Sequence, residues 1–392
     1  MRIFRLVPIV ALMLTALPLT VAAGTLNVRT WGADSGTCGD KDDPCLTIGQ
    51  AIVNAAPKDK IVVGPGTYPE PLVIDKAGLK LESTAGARAT IITTDGSGDD
   101  LVYIGVNDVK LGKKKKGFTV LGGMGRGVHI EGNGCECDSI RAIDNGSDGF
   151  VLNADRASFD NCEGRDNGSD GFDLSGDNVT VEDCVSTGND DDGFALSGNN
   201  CTVEGSLATD NSVTGFNDSC DAGSEYKENA AWRNGIERPP GHGFRYGSDN
   251  VEVTKNVAGD NEGHGFLFEG NDAEAKSNVA RGNALDGFFE SSMGAVVSFE
   301  KNTAAENLGS GFMVKTADAG GIEFKKNNTY ANSDCGLLND TSGTLTTDGT
   351  WWGQDPPTTT AGATGADVCD NGNTTLTDPA SKEGSIKVKG EL

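Results

Sequence analysis

From about residue 118 onward the chain repeats one short hydrophobic phrase, a glycine and a phenylalanine followed by alternating polar and apolar positions. Gly-Phe stands at Gly149-Phe150, Gly171-Phe172, Gly193-Phe194, Gly215-Phe216, Gly243-Phe244, Gly265-Phe266, Gly287-Phe288 and Gly311-Phe312, spaced by 22, 22, 22, 28, 22, 22 and 24 residues. Gly127-Val128 extends the register upstream, and Gly336-Leu337 extends it downstream. Segments between these marks, such as Asn178 to Val181 and Val251 to Val253, are β-branched and alternate with period two, which is strand chemistry. No stretch of the repeats carries a helical stripe. A fixed period of this length predicts a solenoid, in which each coil buries its apolar face only by stacking on its neighbours.

Two polar columns share the register. Four residues before the Gly-Phe glycine stands an asparagine, from Asn145, Asn167 and Asn189 through to Asn332, with Asn234 taking the role in the 28-residue coil. Five residues earlier runs a second column, Cys162, Cys184, Ser206, Asn229, Asn256, Asn278, Asn302 and Asn327. Asparagine tolerates the left-handed backbone of a tight turn, and its amide can bond the same amide one coil above and below, so these columns predict turn ladders. The fold expected is all-β, a single-stranded right-handed parallel β-helix solenoid, and over about residues 118 to 353 the repeat resembles the generic pectin-lyase-like β-helix repeat. The run Asp43 to Ile52, followed by Ile61 to Tyr68, resembles the opening of exported β-helix proteins: a short N-terminal capping helix with Thr47 as N-cap, then the first strand. Thr346 to Gly353, with its Trp-Trp-Gly, resembles the finish of such repeats. About five short coils are expected before Gly123 and nine or ten after it, giving a rod about 65–70 Å long at about 4.8 Å per coil. The organisation expected is therefore a signal peptide over 1–23, the capped β-helix over 24–353 and an irregular C-terminal cap or tail over 354–392.

Charge narrows the partners. Thirty-two Lys and Arg face 58 Asp and Glu, a net of −26, and a field of that sign repels phosphate backbones, so nucleic acid is excluded as a general partner. The basic start at Arg2 and Arg5, the apolar Leu6 to Thr20 and the small Val21-Ala22-Ala23 read as a secretory signal. An extracellular or periplasmic monomer without membrane insertion is expected. An oxidising compartment allows the ten cysteines to pair. Cys38 with Cys45 closes a short loop. Cys162 and Cys184 share a column one period apart, about 4.8 Å between Cα atoms and inside the disulfide range, so they are expected to bond. Cys201 with Cys220 and Cys335 with Cys369 are further pairings, and the lysine run Lys113 to Lys116 reads as a solvated loop.

Chemistry on a β-helix belongs to outward columns, because stacking brings residues a full period apart to one strand spacing. The column before Gly-Phe reads Arg126, Asp148, Asp170, Asp192, Thr214, His242, His264, Asp286 and Ser310. Stacked Asp148, Asp170 and Asp192 call for a cation, a raised pKa or splayed solvent-exposed side chains, and calcium is the expected ion if a metal binds. Two of the three histidines, His242 and His264, occupy adjacent coils in identical Gly-His-Gly-Phe tetrapeptides beside an insertion, Gly235 to Pro240. With Arg245 and Lys255 they are the catalytic candidates, while Trp232, Arg233 and Arg281 are the substrate-binding candidates, since guanidinium binds carboxylate and Trp stacks on a sugar ring. Repeat copying alone would also duplicate a histidine, so the pair is equally readable as a structural turn feature.

The Asn-Gly-Ser-Asp-Gly-Phe runs at Asn145 and Asn167, with the later Gly-His-Gly-Phe, resemble the repeats of secreted mannuronan C5-epimerases. Asp173 and Asp192 align with the two acidic positions of that family's signature, whose Tyr, Pro and His have no counterpart beside them. Asp191-Asp192 and Gly241-His242-Gly243 are similar in type to polygalacturonase motifs, two coils apart here. Two functions stay open at this level. One is an exported β-helix enzyme that binds an acidic polysaccharide and modifies it by lyase- or epimerase-like chemistry. The other is a non-catalytic β-helix that binds glycan or metal or serves as a surface rod.

Overall fold

The computed structural model describes residues 23–94, 96, 100–292, 297–315, 322–353, 359–361, 367–370, 374–377 and 379–380; the expected signal peptide lies outside them, apart from its last residue. From Lys60 to Asn339 every coil runs through three short strands in fixed order, for example Ser158–Asp160, Glu163–Arg165 and Phe172–Ser175, and each strand pairs in parallel with its equivalent in the neighbouring coil. We call the three resulting sheets A, B and C; they hold 15, 12 and 14 strands among the described residues. The molecule is a right-handed parallel β-helix with one capping α-helix, Ile48–Asn54, whose N-terminal Gln50 N–H is accepted by Thr47 Oγ1 at 3.1 Å. That helix buries Ile48, Ala51 and Ile52 and covers the open end of the stack, where unpaired strand edges would otherwise recruit another chain.

The period explains the core. With three short strands per coil, one position in each of sheets A and B and two in sheet C point inward, and the Gly-Phe phenylalanines supply the largest of them. Phe150, Phe172, Phe194, Phe216, Phe244, Phe266, Phe288 and Phe312 are buried and stack with centroids 4.6–4.9 Å apart. Each preceding glycine leaves no room for a side chain: a Cβ on Gly215 would lie 2.7 Å from the Gly243 carbonyl oxygen and 2.8 Å from Asn234 Nδ2. Trp352 is buried against Phe324 at the far end.

Both turn columns are ladders. Asn261 is representative: its Nδ2 donates to Asn283 Oδ1 at 2.9 Å and to Ala231 O at 3.1 Å, while its Oδ1 accepts from the backbone N–H and Nδ2 of Asn234, both at 3.0 Å. The left-handed residue, however, is the one before the asparagine, as at Asp166 (φ 53°), Arg233 (φ 51°), Asp260 (φ 52°) and Ala331 (φ 56°). The amide is thereby kept in line with the stack.

Four expectations are corrected. Cys162 and Cys184 are free, because each sulfur takes the asparagine's place in the second ladder: Cys184 Sγ accepts from Cys162 N–H at 3.4 Å, and Cys162 Sγ faces Cys137 O at 3.4 Å. The sulfurs follow one another along the stack instead of facing. Cys201 and Cys220 are also free, whereas Cys38–Cys45 and Cys335–Cys369 are disulfides. The N-terminal part forms three larger coils, opening at Lys60, Lys80 and Lys110 in sheet A, in place of five short ones. Beyond Gly353, where irregular structure was expected, Val368–Asp370 and Thr374–Thr377 extend sheets C and A.

Candidate functional site

The column before Gly-Phe forms a third ladder at the turn entering sheet C, built from carboxylates and imidazoles. Asp148 Oδ1 accepts from Asp170 N–H (3.0 Å), Asp170 Oδ1 from Asp192 N–H (2.7 Å), and Asp192 Oδ1 from Thr214 N–H (2.8 Å). Further along, His242 Nδ1 accepts from His264 N–H (3.1 Å), His264 Nδ1 from Asp286 N–H (3.2 Å), and Asp286 Oδ1 from Ser310 N–H (2.7 Å). Each side chain therefore satisfies a backbone donor one coil away, and the histidine pair is a matched piece of this ladder, with rings stacked at 5.2 Å. Burial, then His264 and Arg245, pull His242 down to about 4, which keeps its Nδ1 an acceptor.

The carboxylates keep one oxygen each for other work. Burial and the neighbouring Asp192 push Asp170 up to about 8. Burial also raises Asp192, whose Oδ2 accepts from Asn217 Nδ2 at 2.7 Å. Ligand oxygens of Asp170, Asp191 and Asp192 lie within 4.8 Å of one another, a cluster that takes in two of the three aspartates expected to hold a metal, Asp170 and Asp192, and adds Asp191. The Gly235 to Pro240 insertion folds over this region, where the Arg238 N–H bonds Ser212 O and the guanidinium stands 3.7 Å from Asp191.

The remaining candidates divide between faces. Arg245 belongs to sheet C, bonded to Asn217 Oδ1 (3.2 Å) and Glu269 (2.8 Å). Trp232 and Arg281 project from sheet B, where the indole covers Gly259, and Arg281 pairs with Glu306. Arg233 pairs with Asp210, and Lys255, in the turn between sheets A and B, pairs with Glu228. Histidines and aromatic therefore do not share a groove, and these four cations already hold carboxylates.

A tighter constellation lies five coils upstream of His242, around the third histidine. Val102, Val128, Phe150 and Phe172 are successive inward rungs of sheet C, so Tyr103, His129, Val151 and Asp173 form its outward column. The carboxylate of Asp100 bridges two groups, accepting from Arg126 Nε at 2.6 Å and meeting His129 Nδ1 at 2.8 Å. A carboxylate only accepts, so Nδ1 carries the proton and Nε2 of the buried ring is the acceptor, taking a hydrogen bond from Asn153 Nδ2 at 3.3 Å that an incoming C–H must displace. The Tyr103 ring lies 5.3 Å from the imidazole, and its hydroxyl donates to Glu131, a bond that raises the tyrosine pKa. Burial, with Asp148, raises Asp173 on the same face. The group was not legible as a unit in the sequence, because Asp100 and Tyr103 belong to an irregular coil upstream of the repeat that begins at Gly127-Val128. Extending the register through Gly127-Val128 places His129 in the outward column that holds Asp173.

Residues 118–231 and 233–351 match the family described as right handed beta helix region, and the chain belongs to that family. No curated protein sequence aligns significantly with it. Among solved structures, the A-module of Azotobacter vinelandii mannuronan C-5 epimerase AlgE6 is similar at 14% identity, TM-score 0.48, covering 83% of this chain and 91% of that one. The periplasmic alginate epimerase AlgG matches at 12% identity and TM-score 0.47, covering 83% and 77%. Pectate lyase Pel9A matches at 17% and 0.42, covering 78% and 80%. Likeness at this level speaks to fold alone.

Proposed function

We propose that this protein is exported and acts on an acidic polysaccharide, with the outward face of sheet C as its working surface and Asp100, Tyr103, Arg126 and His129 as its reaction centre. The observation that carries the reading is the shared Asp100 carboxylate, which fixes both the His129 tautomer and the Arg126 guanidinium. His129 Nε2 takes the proton alpha to a uronate carboxylate, and Asp100 stabilises the imidazolium that forms. The guanidinium nitrogens of Arg126 not bonded to Asp100 pair with the substrate carboxylate and hold the charge that develops on it. Tyr103 supplies a proton: delivered to the leaving oxygen it completes a β-elimination, delivered to the opposite face of the same carbon it inverts the centre. Three hard carboxylate donors at Asp170, Asp191 and Asp192 suit calcium, which would neutralise them and offer a positive centre to a neighbouring uronate.

Incubation with a panel of polyuronates in deuterated water, with and without calcium, tests this. Deuterium entering the carbon alpha to the carboxylate is the readout of epimerisation, and unsaturated ends, whose alpha carbon keeps no hydrogen, are the readout of elimination. His129→Ala and Tyr103→Phe are expected to lower whichever of the two the unaltered protein produces by about two orders of magnitude or more. Absence of both exchange and unsaturated ends from the unaltered protein on every polyuronate would refute the chemistry.

A further inference from the structure

A second surface reverses the protein's charge. On the outward side of sheet A the pairing register places Lys60, Lys80 and Lys110 on three successive coils, about 4.8 Å apart per rung, with Glu136 on the next. The turn after Lys110 adds Lys113 and Lys116, so the run read from sequence as a solvated loop borders a groove of about 390 Å³ whose charged lining is Lys60, Lys80, Lys110 and Lys113 with Glu82, Glu136 and Asp138. Carboxylates answer these cations unevenly. Lys110 bonds Glu136 at 2.6 Å, Lys60 pairs with Glu82, and Lys116 stands 3.5 Å from that same Glu82. Lys80 and Lys113 have no carboxylate partner among the described residues. Burial, then the ammonium groups of Lys116, Lys113 and Lys80, hold Lys60 below the ordinary lysine value, the mark of like charges crowded together. Residues 58–116 carry ten Lys and Arg against eight Asp and Glu, leaving 22 against 50 for the rest of the chain.

We propose that this lysine ladder is a binding groove for a linear glycan carrying a carboxylate or sulfate on successive sugars, separate from the sheet C reaction centre. It rests on the reading that the protein handles an acidic polysaccharide, and adds a surface that grips the chain away from the chemistry. A row of cations repeating once per coil matches a ligand whose anions repeat along one line. No aromatic ring lines the groove, so bases have no stacking platform.

Calorimetric titration of the full protein at low salt with an oligogalacturonate and with a sulfated oligosaccharide provides the test. Anionic-lipid vesicles and duplex DNA run as further arms. The double variant Lys80→Gln/Lys113→Gln is expected to weaken binding of at least one glycan about tenfold and to flatten its salt dependence, since screening acts on the contacts removed. Lys276→Gln/Lys325→Gln, exposed on the same sheet toward the other end, is expected to leave affinity unchanged. Unaltered glycan affinity in the first variant, or binding to vesicles or DNA alone, would overturn the proposal. If formation of exchanged or unsaturated product still depends on His129 when the ladder variant binds normally, the ladder fails while the sheet C reading stands. If no glycan binds and neither product forms, both fall. Melting curves confirm that the variants, all at surface lysines, remain folded.

Discussion

His242 shows how one side chain in this fold answers to two demands. Its Nδ1 must accept from the His264 N–H, and burial removes the water that would support a charged ring. The folded value of about 4 lies below the ordinary 6.5, so the unfolded chain takes up the proton first. The stabilisation is complete above about pH 6.5 and is lost as pH falls toward 4, by about 1–3 kcal/mol. His242→Asn keeps an acceptor at the same place in the ladder, where neighbouring coils use Asp Oδ1. It is expected to match the unaltered protein at pH 7 and to flatten the acid limb of its stability curve. His242→Leu leaves a donor unmet and is expected to cost about 1–3 kcal/mol at every pH. Chemical denaturation across pH 4–8 measures both.

At the scale of the coil, the ladders matter more than any single strand, because strands of three or four residues hold little pairing of their own. Asn261→Ala would remove four side-chain hydrogen bonds at once and leave the Asn234 N–H without its acceptor, while Asn283 Oδ1 keeps the Asn261 N–H and Asn234 Nδ2 keeps Ala208 O. A loss of about 3 kcal/mol or more is expected from urea unfolding, against well under 1 kcal/mol for alanine at the exposed Lys276. The asparagine column was legible in the sequence because its chemistry is specific. The left-handed position before it was not, since Asp, Arg, Gly and Ala331 all occupy it and the ladder, not the residue, stabilises the conformation.

Along the whole molecule, disulfides stand only near the ends. Cys38–Cys45 secures the segment leading into the capping helix, and Cys335–Cys369 ties a late coil to the strands beyond it. The six cysteines between are buried thiols, held inside by the same inward register that places the phenylalanines. A thiol-reactive reagent without reductant is therefore expected to label none of the ten cysteines in the native protein and six after unfolding. A count of four on unfolding would mean that two of the interior thiols are bonded.

Period, inward column and turn ladders were determined by the sequence itself, because a solenoid repeats its local rules and each rule leaves a residue type at a fixed offset. Which outward residues meet was decided only by the tertiary structure. His242 and Trp232 are ten residues apart yet stand on different faces, one in the turn entering sheet C and the other in sheet B, while Asp100 and His129, 29 apart, touch at 2.8 Å. Coil length is the physical reason. In the regular coils a constant period converts sequence offset directly into neighbourhood, whereas the first three coils differ in length, so Lys60, Lys80 and Lys110, or Tyr103 and His129, come into line only when the backbone pairing sets their register.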